Sequence, residues 1–198
     1  MTAVFARRLV AGLFICIVSP IALAHPEGHG AHDFLAGFTH PFTGIDHLLA
    51  MFAVGLWAVR CGRGAVLALP LVFPLTMIGG ALFALNGIGL PAIEPMIAVS
   101  VMTLGLLVAI GLRLPVFASA ALVATFAIFH GYAHGAESNA SQLGIYALGF
   151  VSATVILHAL GVAAGILMAR HSSANTSALT SRVAGSMIAA TGAVSLLF

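Results

Sequence analysis

The 198-residue chain is 61% hydrophobic and only 6% charged, against roughly 25% charged residues in an ordinary soluble domain, so it reads as an all-α integral membrane protein. Seven arginines, no lysine and five acids leave a formal charge of +2, too small and too scattered for a nucleic-acid surface, and no nucleic-acid partner is expected. Cys16 and Cys61 lie far apart and no Cys-x-x-Cys pair occurs, which argues against a structural disulfide and against thiolate-rich zinc or iron-sulfur sites.

Residues 1–24 have the parts of a cleavable secretory signal. Arg7 and Arg8 precede an apolar run from Leu9 to Val18, Pro20 breaks it, and Ala22-Leu23-Ala24 offers a small-x-small cleavage site. The alternative is an uncleaved first transmembrane helix. Residues 25–39 follow as a His-rich periplasmic arm, and its His25, His29 and His32 either gather a cation outside the membrane or form a solvated tract.

Residues 40–198 then divide into six apolar segments: Pro41 to Val59, Ala65 to Leu85, Pro91 to Leu112, Leu114 to His134, Leu143 to Ala169, and Ala178 to Phe198. Each is near the ~20 residues that cross a ~30 Å hydrocarbon core. A spanning segment must satisfy its own backbone, so a six-transmembrane-helix bundle is expected. Arg60 and Arg63, Arg113, and Arg170 with Arg182 fall in alternate loops. Those loops are cytoplasmic by the positive-inside rule, leaving both mature termini periplasmic. Three plus three helices would form inverted halves, an arrangement many secondary transporters use.

Within this apolar chain two polar clusters stand out. The first membrane segment opens with His40-Pro41-Phe42-Thr43-Gly44-Ile45-Asp46-His47. Proline suits a first helical turn, His40 and His47 would share a face two turns apart, and Asp46 would act as a ligand or orient an imidazole. The fourth segment ends with Phe129-His130-Gly131-Tyr132-Ala133-His134-Gly135-Ala136-Glu137, where spacings of four and seven put His130, His134 and Glu137 on one stripe. The first helix runs inward and the fourth outward, so the clusters can match in depth near the outer surface. Buried ionisable groups in membrane segments are costly and mark ion paths or proton relays; the competing reading is helix-to-helix hydrogen bonding. Glu94, near Pro91 and Pro95, either joins the site or caps the third helix. His158, deep in the fifth segment, is either a packing residue or an inner stepping stone for a cation.

The His-x5-Asp-His of His40, Asp46 and His47, with the Phe-His-Gly-x-Ala-His-Gly-x-Glu of residues 129–137, resembles the HupE/UreJ family of nickel and cobalt permeases, found near hydrogenase and urease genes. That resemblance implies uptake of Ni²⁺ or Co²⁺ across the bacterial inner membrane, with His40, Asp46, His47, His130, His134 and Glu137 carrying the metal path. On this reading the protein is no enzyme and carries no prosthetic group. Its partners are a divalent transition-metal ion as substrate and the lipid bilayer, and a homo-oligomer is compatible with the sequence. Imidazole suits nickel and cobalt, and a carboxylate offsets the double charge. The rival is a membrane-embedded metal-dependent hydrolase with a His/Asp/Glu zinc site and an activated water, although Gly131 replaces the glutamate of a His-Glu-x-x-His motif. A haem-bearing cytochrome, with axial histidines on facing helices, is a third reading.

Overall fold

A computed structural model describes residues 34–137, 143–171 and 173–197. The signal and the arm histidines His25, His29 and His32 lie outside the described residues. Among the described residues there are seven helices and no strand: α1 (Phe34–Thr43), α2 (Ile45–Cys61), α3 (Arg63–Leu85), α4 (Ile93–Ile110), α5 (Val116–Glu137), α6 (Leu143–His171) and α7 (Ala174–Ser195).

Helices α3, α4, α5 and α6 are each long and apolar enough to cross a membrane, which makes the chain a multi-pass membrane protein. Their outward faces agree. On α3, Leu67, Leu71, Leu75 and Leu82 repeat at near-helical spacing and are all exposed, an apolar stripe that suits lipid and not water. The last helix is different: its first turns carry Asn175, Thr176, Ser177, Thr180, Ser181 and Arg182, and it falls short of the apolarity of the other four.

The N-terminal part departs from expectation. Helix begins at Phe34 and not at Pro41, so residues 34–39 of the expected arm are helical. Pro41 sits inside α1, and the chain breaks at Gly44, where α1 and α2 meet at a bend of 80°. The backbone makes this possible because Gly44 is extended (φ −79°, ψ 108°), while its N–H still donates to the His40 carbonyl and its carbonyl accepts from Leu48 N–H. The bent pair counts as a fifth span if both arms belong to one crossing.

Glycines set the pairing of the helices. A Cβ on Gly131 or Gly80 would collide with the backbone of the facing helix in the α3–α5 pair, as would one on Gly55 or Gly161 in α2–α6 and on Gly105 or Gly185 in α4–α7. Close backbone approach through small residues is how helices associate in lipid, where no hydrophobic force drives them together. Helices α2 and α6 run in parallel: Phe150 lies beside His47, and Gly55 contacts the backbone at His158.

Arginines gather at one end of the bundle. Arg60 and Arg113 share a cavity of about 110 Å³ with Ser177 and Ser181, Arg60 Nη2 donates to Ser181 Oγ at 2.6 Å, and Trp57 Nε1 donates to the Leu112 carbonyl at 2.9 Å. The α2–α3, α4–α5 and α6–α7 junctions therefore lie on one side, while the His47 end of α2 lies about 20 Å away along the helix.

Candidate metal site

Bending at Gly44, not a shared helical face, is what joins the two halves of the first motif. His40 near the end of α1 and His47 in the first turn of α2 stand with ring centroids 5.3 Å apart at right angles. Into this corner α5 delivers His134, 4.7 Å from both rings, and His130, 4.9 Å from His47. One ring nitrogen each from His40, His47 and His134 lie within 4.8 Å of one another. Two nitrogens bound to one transition-metal ion at ~2.1 Å sit about 3–4 Å apart, so modest side-chain rotation would bring all three onto a common ion.

Hydrogen bonds fix the protons. Asp46 Oδ1 accepts from the His47 backbone N–H at 2.8 Å and lies 2.9 Å from His47 Nδ1. A carboxylate only accepts, so His47 carries a proton on Nδ1, and in the single-proton tautomer this leaves Nε2 bare. That Nε2 lies 2.8 Å from His134 Nε2, which in this tautomer is the donor. A metal ion bridging the two rings would replace this proton. Asp46 thus acts as the carboxylate that orients and polarises an imidazole, the arrangement common behind metal-bound histidines. Gly44 leaves space for the pair, since a Cβ there would stand 3.1 Å from both Asp46 Oδ1 and His47 Nδ1.

His130 is fully buried, and its partner was not foreseen. Ser100 on α4 donates its single hydroxyl proton to the Ile97 carbonyl at 2.6 Å, so its Oγ accepts from His130 Nε2 at 2.9 Å. This leaves His130 Nδ1 as a buried lone pair with no protein partner, a situation that costs about 1–3 kcal/mol unless something binds there.

Aromatic rings close the site. Phe150 on α6 lies 4.4 Å from His134 and 5.8 Å from both His40 and His47, and Tyr146 lies 6.2 Å from His134. Tyr146, Phe150, Thr154 and His158 recur every fourth residue and so share one face of α6. An apolar cavity of about 60 Å³ bordered by Met77, Gly131, Tyr146 and Phe150 reaches His134.

Other residues singled out in the sequence stand apart. Glu94 is exposed in the first turn of α4 and has no ion-pair partner among the described residues. Glu137 ends α5, and its side chain lies outside the described residues. His158 is buried on α6, away from the three-imidazole group.

Three or four imidazoles with a carboxylate behind one of them form a borderline ligand set suited to nickel, cobalt, zinc or copper(II). Comparison with known proteins narrows the context. Residues 13–195 match the family described as HupE / UreJ protein, and the chain is 44% identical to Protein HupE of Rhizobium leguminosarum bv. viciae over 181 residues, 89% of this chain and 91% of that protein. No solved structure matches. A family match over nearly the whole length, with a relative this similar, means that the chain belongs to the HupE/UreJ family.

Proposed function

We propose that this protein is a secondary permease that takes up Ni²⁺ or Co²⁺ across the bacterial inner membrane and supplies metal to enzymes of the hydrogenase or urease type. The observation that carries the proposal is the convergence of one ring nitrogen each from His40, His47 and His134 within 4.8 Å of one another, with Asp46 accepting from His47 Nδ1. His130 adds a lone pair beside His47. Glu137 and the arm histidines His25, His29 and His32 would serve approach and selection, with Glu94 at the same mouth. Imidazoles replace part of the ion's hydration shell, and one carboxylate offsets its charge without trapping it, as a transport site requires.

Topology supports the same reading. The bent α1–α2 pair and α7 complete six crossings, with the arginine-lined junctions cytoplasmic by the positive-inside rule and the histidine cluster at the periplasmic side. The closest pairings, α3 with α5, α2 with α6 and α4 with α7, are also those expected of inverted halves. Exchanging α2 with α5, α3 with α6 and α4 with α7 turns the first pair into the second and leaves the third unchanged, which is compatible with alternating access.

Uptake of radioactive nickel and cobalt by cells expressing the wild type or His134→Ala tests the assignment. Wild type should accumulate metal above vector controls and the variant should not. A zinc hydrolase would also use three imidazoles with an open position; accumulation at background in the wild type would abandon the permease in its favour.

A further inference from the structure

Among the described residues, three buried side-chain nitrogens lack any hydrogen-bond partner: His130 Nδ1, His158 Nδ1 and His158 Nε2. All three belong to the two histidines that flank one aromatic ring. Phe73 on α3 lies 5.6 Å from His130 and 5.2 Å from His158, measured between ring centroids. His158 and Phe73 are both fully buried.

A histidine kept for packing is normally hydrogen-bonded, as His130 is through Ser100. His158 has neither of its bonds, and whichever tautomer it adopts it presents one lone pair to an enclosed apolar space. Its depth is equally informative. On α6 it lies eight residues past Phe150, at the level of the histidine cluster, and seven before Gly165, which borders the arginine-lined cavity. At 1.5 Å per residue these separations are about 12 and 10 Å. His158 is therefore midway between the two polar ends of the bundle.

We propose that His158 is an inner station for the transported cation, one step beyond His130, and that the Phe73 ring separates the two stations and must turn aside for the ion to pass. The inference rests on the permease reading. Conduction between sites needs intermediate ligands so that no single step carries the whole desolvation cost. Unsatisfied nitrogens on the two histidines packed against one ring supply the pair of ligands such a step requires.

The test combines uptake with a cobalt titration of the purified full-length protein in nanodiscs. For His158→Leu, maximal uptake should fall on the order of tenfold, while the metal concentration for half-maximal uptake and the Co²⁺ absorption of the histidine cluster stay unchanged. His158→Gln, which keeps an oxygen ligand, should recover part of the rate. Wild-type uptake in His158→Leu overturns the proposal. A measurement on the wild type covers the case of a variant that does not fold: oxidation with Co²⁺ and hydrogen peroxide, read by peptide mass spectrometry, should mark His158 as well as His47 and His134. Marking of the cluster without His158 rejects the inner station and spares the permease. No cobalt-dependent marking of any of them removes the permease reading and the station with it.

Discussion

The two ends of the bundle are both polar, yet they are built from opposite chemistry. At one end the rings of His40, His130 and His134 gather around His47, backed by Asp46. At the other, Arg60 and Arg113 line a cavity with serine hydroxyls, and guanidinium has only donors to offer. A divalent cation is attracted to the first and repelled by the second. On the permease reading the first end receives the metal ion and the second fixes orientation, and polarity alone does not make a site.

The largest break in this contrast should come from His47→Ala. His47 is the one ring in contact with His40, His130 and His134 at once, and its loss also strands Asp46. Uptake of radioactive nickel should fall about 100-fold or more, since a ligand and its outer partner are lost together. Residual uptake near wild type would move the site elsewhere. Asp46→Asn is the next largest effect. The amide can donate to His47 Nδ1 and so favours the tautomer with Nε2–H, which cannot bind metal; affinity measured by cobalt titration should weaken about 10- to 100-fold. An unchanged titration would show that Asp46 does not set the tautomer.

Much of the histidine end was legible because imidazoles are rare in apolar helices and their spacing maps onto helix faces. The stripe of His130 and His134 and the histidines of the first motif could be matched in depth from the arginine pattern and the rise per residue, although the first motif's shared helical face gave way to the bend at Gly44. What was illegible was backbone geometry. Pro41 reads as a helix start, whereas the chain continues through it and breaks three residues later at Gly44, where the missing Cβ leaves room for Asp46 and His47 and where a proline near a helix end costs only one bond. Ser100, Phe73, Tyr146 and Phe150 were equally hidden. A serine or an aromatic residue on an apolar helix looks the same whether it faces a histidine or a lipid, and only the packing of α3, α4 and α6 separates the cases. The sixth segment was expected to begin at Ala178, but the helix begins at Ala174, where Ser173 Oγ accepts from Thr176 N–H as an N-cap.

Ser100→Ala sharpens the comparison more gently. It removes the acceptor of His130 Nε2–H and frees the ring to rotate or change tautomer, without touching His40, His47 or His134. Metal uptake should drop by about threefold to tenfold, the worth of one buried hydrogen bond of ~1 kcal/mol. A loss as deep as that of His47→Ala would instead place Ser100 in the metal path.

The smallest effect belongs to the far end. Arg60→Gln keeps a donor for Ser181 Oγ and removes one positive charge, while Arg63, Arg113, Arg170 and Arg182 remain to hold orientation. Thirteen residues separate position 60 from His47, about 20 Å of helix, too far for one charge to alter ligand geometry. Nickel uptake should therefore stay within about twofold of wild type, because a single exposed or half-buried hydrogen bond is worth on the order of 1 kcal/mol or less when its acceptor keeps a partner. Helix orientation, read by cysteine accessibility at the α2–α3 junction, should be unchanged. A collapse of uptake with intact orientation would mean that the arginine cavity takes part in metal release, and the two ends of the bundle would then have to be treated as one path and not as a site and its anchor.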